Sequence, residues 1–275
     1  MENIFFGGLA GIFSKTLTTP IERLKTLRQN KLDDLNYRKG GALRYIFKHE
    51  GIRGLFKGNI MNCIRTFPQT ATQYGTYQLV KNMLPIKNKT MLDMSSGALA
   101  GLTSMTVVYP IELVRTRYIM QTQINKPIIN NLYSGLKHIY DGDRKFYRGW
   151  KSSVIRVAPL LALNFTIYNK LNDLNKDKNK LVSCLCGSIS GSIALVLWYP
   201  PEIWNRRMQL QNFYKGYPVY KNIPDVIRQM YKYEGFKSFY IGLGTAIQRI
   251  ALSNGLYFMF IEILRDMYNN LKNEK

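Results

Sequence analysis

The segment Pro110-Ile111-Glu112-Leu113-Val114-Arg115 is one of three related segments that stand 90 residues apart. The other two are Pro20-Ile21-Glu22-Arg23-Leu24-Lys25 and Pro200-Pro201-Glu202-Ile203-Trp204-Asn205. A Gly-x-x-x-Gly segment ends nine residues before each proline. Spacing held at so many positions predicts three tandem repeats, at residues 1–90, 91–180 and 181–275.

The composition is that of a basic chain with ample apolar surface. Of its 275 residues, 39 are Lys or Arg and 17 are Asp or Glu, for a net charge of +22, and 46% are hydrophobic. This excludes a disordered polycation and favours an anionic partner, which could be nucleic acid, lipid or a small molecule. The three cysteines are odd in number and lie in apolar stretches, so we expect neither a disulfide framework nor a metal site.

Each repeat contains two long apolar segments. Residues 94–111 and 181–200 carry no charge, which is long enough for a helix that crosses a bilayer. The second segments, near 59–84, 152–171 and 243–264, are apolar with one arginine near the first turns. Buried helices of a soluble protein are the alternative, but such helices rarely lack charge over five turns. We therefore predict an all-α membrane protein with six transmembrane helices, two in each repeat.

The repeated segments join a proline to a pair of charges. A proline within a helix removes one backbone hydrogen bond and kinks the helix. A carboxylate and a cation three residues apart lie on one helix face. Three such helices around a pseudo-threefold axis could pair each carboxylate with the cation of a neighbour and close one end of a central cavity. Local surface pairing would not explain three copies beside prolines.

Three repeats with Pro-x-[Asp/Glu]-x-x-[Lys/Arg] resemble the mitochondrial carrier family, and the resemblance covers nearly the whole chain. It implies the mitochondrial carrier fold, with six tilted helices around a water-filled cavity and short helices in the long connectors. It also implies alternating-access exchange of solutes. We expect a monomeric, multi-pass protein of the inner membrane of a mitochondrion or a mitochondrion-related organelle.

By this resemblance, the charged segments form a gate on the matrix side. The family pattern pairs Glu22 with Arg115 and Glu202 with Lys25, whereas Asn205 replaces a cation and is expected to leave Glu112 without an ionic partner. Bracing glutamines complete the gate. The predicted matrix gate therefore consists of Glu22, Lys25, Gln29, Glu112, Arg115, Glu202, Asn205 and Gln209.

A second family motif, on the other helix of each repeat, implies a gate on the cytoplasmic side. Its candidate residues are Gln78, Lys81, Asn169, Asn172, Glu262 and Arg265. Only the third copy keeps both charges, so we expect a single ionic pair, between Glu262 and Lys81, and a weaker gate than on the matrix side.

The connectors carry two further expectations. Phe56-Lys57-Gly58 and Tyr147-Arg148-Gly149 resemble the helix starts where this family binds cardiolipin, because backbone N–H groups and the helix dipole favour a phosphate there. The connector of repeat 2 is about five residues shorter than its counterparts, which argues against a short helix in it.

Cations inside the apolar segments point to the solute. A charge within a span is costly and usually functional, and the symmetry of the arginines argues against side chains that only reach to the membrane surface. Together they suit phosphates through charge-assisted and bidentate hydrogen bonds. The predicted substrate-binding residues are Lys15, Arg65, Arg156, Val157, Arg206 and Arg249.

The identity of the solute stays open between two readings. Residues 13–25 and 56–68 are similar to ADP/ATP carriers and related nucleotide and coenzyme A carriers, which implies exchange of ADP for ATP. Arg156 stands where nucleotide carriers have glycine, and an arginine there is commoner in carriers of carboxylates. The alternative is therefore a carrier of another anion: coenzyme A, a di- or tricarboxylate, or phosphate.

Other classes of function are disfavoured. Nucleic-acid binding would place cations on a surface interleaved with stacking aromatics, whereas these cations lie within apolar segments. No His/Ser/Asp constellation suggests an enzyme, and nothing in the sequence calls for a cofactor.

Overall fold

The computed structural model describes residues 2–29, 35–85, 89–121, 128–142, 144–173, 180–211, 213 and 218–273. These ranges contain α-helices, one 3₁₀-helix at Phe236–Tyr240 and no strand. The helices are α1 (Glu2–Gln29), α2 (Leu35–Leu55), α3 (Asn59–Met83), α4 (Lys89–Met120), α5 (Leu132–Asp141), α6 (Trp150–Asp173), α7 (Lys180–Leu197), α8 (Pro200–Leu210), α9 (Ile223–Glu234) and α10 (Leu243–Asn273).

The long helices form a closed ring. Helix α1 packs against α10 on one side and α3 on the other, α3 against α4, α4 against α6, α6 against α7, and α7 against α10. Each repeat contributes two neighbours to this ring, as the sequence predicts. A ring of six encloses a central space, and the helices α2, α5 and α9 lie in the connectors.

The three repeated prolines act differently. Pro20 and Pro110 lie inside continuous helices. In the third repeat the helix ends at Leu197 and a new one, α8, begins at Pro200, because two successive prolines remove two backbone donors. The uncharged segment at 181–200 is therefore not one helix. In the third repeat, α7 and α8 together are the counterpart of the single helices α1 and α4 of the first two repeats.

A repeated glycine begins the second helix of each repeat. Gly58, Gly149 and Gly242 have φ values of 85°, 79° and 80°, in the left-handed region that glycine adopts without strain. A Cβ atom on Gly58 would also lie 2.7 Å from Ile119 Cγ1. The glycines thus allow a sharp turn, and at Gly58 this turn packs closely against helix α4 of the following repeat.

The expectation that repeat 2 lacks a connector helix is wrong. Helix α5 is present, and Asn131 and Ser134 form a reciprocal capping box at its start. The Ser134 backbone N–H donates to Asn131 Oδ1 at 2.8 Å, and the Asn131 backbone N–H donates to Ser134 Oγ at 3.0 Å. These bonds satisfy N–H groups that a helix end leaves open, so the shorter connector still accommodates ten helical residues.

By length and hydropathy, one described helix segment, Met91–Met120 in α4, qualifies on its own as a membrane span, and Leu185–Leu197 is a shorter apolar segment. The first covers the uncharged stretch that the sequence analysis identified at 94–111. The other long helices have a lower mean hydropathy because they contain charged residues, such as Lys15 in α1 and Arg65 in α3.

Candidate functional site

Two ion pairs expected in the matrix gate are formed where α1, α4 and α8 meet. Glu22 binds Arg115 through two contacts, of 2.8 Å and 3.1 Å. Lys25 Nζ lies 2.8 Å from Glu202 Oε1. The Arg115 and Lys25 side chains are only 2% and 6% exposed, so these charges are withdrawn from water and depend on their partners.

Glu112 is not left unpaired, which corrects the expectation drawn from Asn205. Arg206, one residue further along α8, places Nη1 at 2.9 Å from Glu112 Oε1. The same Nη1 donates to Thr116 Oγ1 at 2.8 Å and to Gln209 Oε1 at 3.2 Å. The third cation is therefore present but displaced by one position. Arg206, predicted among the substrate-binding residues, lies with the matrix gate.

Asn205 has a different set of partners. Its Oδ1 accepts hydrogen bonds from Ser152 Oγ at 3.0 Å and Ser153 Oγ at 2.8 Å, both at the start of α6. All three residues are buried. A neutral side chain that is satisfied here has no need of a carboxylate partner, and it ties α8 to α6.

The predicted bracing glutamines each contact a tyrosine. Gln29 Nε2 donates to the Tyr199 hydroxyl at 3.0 Å, and Gln209 Nε2 lies 3.4 Å from the Tyr109 hydroxyl. Each tyrosine directly precedes a repeated proline and donates to the backbone carbonyl just before a repeated glycine: Tyr109 to Arg148 at 2.7 Å, and Tyr199 to Ile241 at 3.0 Å. Sequence reasoning missed these tyrosines, although Tyr-Pro occurs in two of the three repeats.

Two of the three symmetric arginines contact carboxylates of the matrix gate. Arg65 Nη1 lies 3.0 Å from Glu112 Oε2, and Arg156 Nη1 lies 3.3 Å from Glu202 Oε2. In both cases the other carboxylate oxygen holds a gate cation. Glu112 and Glu202 therefore each bridge the gate and the cavity.

The third arginine differs from the other two. In the part of the chain that the structure describes, the Arg249 guanidinium makes no ion pair, and both oxygens of Glu22 contact Arg115. The Nε atoms of Arg65, Arg156 and Arg249 are alike in being buried without a hydrogen-bond partner.

The remaining predicted binding residues, Lys15 and Val157, lie near Arg65 and Arg156. Lys15 Nζ donates to Thr66 Oγ1 at 2.8 Å, one residue from Arg65. Val157 lines a cavity of about 200 Å³ that Arg65 and Arg156 also border. The structure thus brings Lys15, Val157 and the two arginines to the region directly above the matrix gate.

At the predicted cytoplasmic gate, Lys81 has a different partner from the one expected. Lys81 pairs with Asp93 at 2.8 Å and also lies 3.3 Å from the Tyr77 hydroxyl, so the expected pair with Glu262 is not formed in this conformation. Asp93 is nearer because the short connector brings the start of α4 beside the end of α3. The side chains of Gln78, Asn169, Glu262 and Arg265 are exposed and that of Asn172 is half-buried.

A second cavity lies between the end of α2, the start of α3 and the start of α5. Its volume is about 850 Å³, and Phe56, Lys57 and Gly58 are among its lining residues. The Lys57 ammonium donates to the Gln121 carbonyl oxygen at 2.5 Å and lies over the Tyr118 ring. Burial lowers the pKa of Lys57. At the equivalent point of repeat 2, Arg148 donates to the Gln211 carbonyl oxygen at 3.0 Å.

Comparison with known sequences agrees with this architecture. The sequence model of the family described as mitochondrial carrier protein matches residues 1–88, 86–179 and 176–272. The chain belongs to the mitochondrial carrier family. This protein is therefore a membrane transporter and not an enzyme. The exact repeat boundaries at 90 and 180 stay a prediction.

Individual relatives cover almost the full chain. The mitochondrial adenine nucleotide transporter ADNT1 of Arabidopsis thaliana is 30% identical over 97% of this chain and 86% of its own length. The mitochondrial substrate carrier family protein A of Dictyostelium discoideum is 32% identical, over 95% and 84%. The mitochondrial carrier protein CoAc1 of Arabidopsis thaliana is 26% identical, over 96% and 88%.

Proposed function

We propose that this protein exchanges adenine nucleotides, ADP for ATP, across the inner membrane of a mitochondrion or a mitochondrion-related organelle by alternating access. A similar protein that aligns with 97% of this chain carries the name adenine nucleotide transporter. The observation that carries the proposal is the set of three arginines at one level of α3, α6 and α10, each with an unused buried Nε donor.

The three arginines keep donors that are available to a ligand. A buried polar group without a partner costs free energy, and such groups in a native structure need an explanation. Arg65, Arg156 and Arg249 together offer planar, permanently charged donors from three directions, and Lys15 adds a fourth cation. Phosphate groups match this arrangement because guanidinium binds them bidentately.

The shared carboxylates provide a link between binding and gating. Glu112 holds Arg206 with one oxygen and Arg65 with the other, and Glu202 divides its oxygens in the same way between Lys25 and Arg156. A phosphate bound by Arg65 or Arg156 competes with the carboxylate for the guanidinium. Loss of that contact weakens the anchoring of the gate carboxylates and lowers the barrier to opening on the matrix side.

Arg249 is the first contact in this scheme. It needs no exchange of an internal carboxylate before it binds a phosphate, whereas Arg65 and Arg156 must each release one. The ion pair expected at the predicted cytoplasmic gate is not formed, because Lys81 pairs with Asp93, and we infer that the solute enters from that side in this conformation. When the matrix gate opens, the cytoplasmic side must close. In this scheme, Lys81 then exchanges its contact with Asp93 for one with Glu262.

Another anion is the second candidate, and Arg156 favours it. Three arginines and one lysine suit any compact polyanion, such as coenzyme A, a di- or tricarboxylate, or phosphate. The cation set alone does not distinguish a nucleotide from these solutes. Selection among them must come from groups that contact the uncharged part of the solute.

A competition screen in proteoliposomes tests the proposal. Purified protein is reconstituted with internal ATP, and uptake of labelled ADP is measured against an excess of ATP, coenzyme A, citrate, malate or phosphate. We expect ATP and ADP to compete best. Uptake of citrate or malate with no nucleotide uptake would contradict the assignment.

A pair of variants tests the role of the arginines in the same assay. Arg249→Gln removes the first phosphate contact, and we expect the affinity for ADP to fall by about 10-fold to 100-fold, since one charge-assisted hydrogen bond is lost. Arg228→Gln makes the same change at an exposed position on α9 and should leave uptake unaltered.

Lipid binding and the monomeric state are part of the same proposal. The 850 Å³ cavity beside the start of α3 suits a cardiolipin phosphate, because the first N–H groups of a helix attract anions. Lys57 lies at its rim. Native mass spectrometry of the purified protein should detect one protomer with bound cardiolipin.

A further inference from the structure

The cavity of about 200 Å³ has a polar wall that the arginines do not explain. It lies where α3, α4 and α6 face one another, with Arg65, Glu112 and Arg156 among its lining residues. Along α3 the wall continues with Gln69 and Gln73. These follow Arg65 at intervals of four, so all three lie on one helix face, with Gln73 about 12 Å from Arg65 along the axis.

Neither glutamine amide is used inside the protein. In the described part of the chain, Gln69 and Gln73 have no hydrogen-bond partner, although both border the cavity. Gln69 is half-buried and Gln73 is exposed to the cavity space. Each carboxamide offers both a donor and an acceptor, so two unused pairs of hydrogen-bonding groups face this space.

The other two repeats do not repeat this feature. The position of Gln69 is Leu160 in repeat 2 and Ser253 in repeat 3. The Ser253 hydroxyl lies within hydrogen-bond distance of the Ser14 hydroxyl, at 3.2 Å. The position of Gln73 is Asn164 in repeat 2, where Oδ1 accepts from Ser190 Oγ at 2.8 Å. Only repeat 1 combines two unused amides with the cavity wall.

The opposite wall is suited to a flat ring. Met105 and Val108 of α4 and Val157 of α6 are apolar, and Gly101 adds no side chain. A small-molecule site commonly combines apolar walls with a few polar groups that fix orientation. Carboxamides of Gln and Asn recognise adenine through its N6 amino donor and N7 acceptor, which match the acceptor and donor of the amide.

We propose that Gln69 and Gln73 form a nucleobase subsite, in which their amides bind the edge of a purine whose phosphates lie on Arg65 and Arg156. This inference rests on the proposed function and adds what that function lacks, a means of recognising the uncharged part of the solute. It also separates the tasks of the two ends of the cavity: charge at the gate end and base recognition along α3.

The test compares ATP with inorganic tripolyphosphate, which carries the same phosphate chain without the base. Binding to the purified protein is measured by isothermal titration calorimetry for the wild type, Gln69→Ala/Gln73→Ala, and the single variant Gln73→Ala. We expect the double variant to lose about 10-fold in ATP affinity, as two neutral hydrogen bonds are removed, with tripolyphosphate affinity unchanged. The single variant, at an exposed position, should show the same selectivity with a smaller loss.

A matched control comes from the same helix. Thr70→Ala alters a side chain that donates to its own helix backbone, at Thr66, and is outside the cavity lining. It should bind both ligands as the wild type does. Equal loss of ATP and tripolyphosphate binding in the glutamine variants, or no loss of either, would overturn the subsite.

The wild type separates the two proposals. If it prefers ATP over tripolyphosphate and the variants keep that preference, the subsite is wrong and the nucleotide exchanger stands. If the wild type binds ATP no better than tripolyphosphate, base recognition is absent and both proposals fall.

Discussion

Arg206→Gln should open the matrix gate. Arg206 is the displaced third cation, with a 2.9 Å contact to Glu112 and an exposed fraction of 12%. Removing one partner of a buried ion pair costs about 3–5 kcal/mol. Glu112 keeps Arg65 at 3.0 Å, so the lower value applies, and about 3 kcal/mol is a factor of about 150 in the equilibrium between closed and open forms. A carrier that is about 1% matrix-open would become about 60% open.

The assay is a distance measurement between spin labels on the connector helices. Labels at Tyr133→Cys and Tyr231→Cys, which are exposed on α5 and α9, report the separation of repeats 2 and 3 after the native cysteines are replaced by serine. The wild type should give one short distance and Arg206→Gln a second, longer one. Arg228→Gln is the control. An unchanged distance distribution in Arg206→Gln would refute the assignment of Arg206 to the gate.

Three further changes have defined outcomes. Asn205→Arg should lower the midpoint of thermal unfolding, because it adds a buried cation to a gate whose three carboxylates already face Lys25, Arg115 and Arg206. In the double variant with Arg206→Gln, the new arginine should instead restore the short spin-label distance. A higher midpoint for Asn205→Arg alone would favour the family spacing over the observed contacts. Gly58→Ala should cost about 2 kcal/mol, from positive φ and the contact with Ile119. Gly8→Ala, inside helix α1 with open space around it, should instead stabilise the protein by about 0.5–1 kcal/mol, and equal midpoints for the two variants would count against the turn geometry. Tyr199→Phe should lower the free energy of unfolding by about 2 kcal/mol, because it leaves the Gln29 amide and a backbone carbonyl without a partner. The control variant Tyr147→Phe, at an exposed position, should leave the melting curve unchanged.

The repeat and the ring of helices could be read from the sequence because both depend on spacing. The prolines, glycines and charges recur at fixed positions, and the resemblance to the carrier family then implies two pairs of the matrix gate, Glu22 with Arg115 and Glu202 with Lys25. The helix starts at Gly58, Gly149 and Gly242 likewise recur at one place in each repeat.

The partner of Glu112 could not be read in this way. The family pattern treats position 205 as the cation, whereas a long, flexible arginine one residue later reaches the same carboxylate while Asn205 turns to Ser152 and Ser153. Side-chain length and direction decide this, and neither is visible in spacing. The helix in the short connector of repeat 2 was missed for a similar reason, because its cap at Asn131 is a local hydrogen-bond pattern.

The unused amides of Gln69 and Gln73 required the structure for another reason. Glutamine on a helix is usually a solvated surface residue, and sequence alone does not say which polar groups lack a partner. Only the comparison with the satisfied Asn164 and Ser253 shows that repeat 1 differs from the other two.

The proposed function requires that this carrier exchanges adenine nucleotides strictly, one for another. The most direct measurement is uptake of labelled ADP into proteoliposomes that are either loaded with ATP or empty. We expect uptake into loaded vesicles, none into empty ones, and loss of uptake in Arg65→Ala and Arg249→Ala. The proposed exchange would be contradicted if loaded vesicles exchange another anion but take up no ADP.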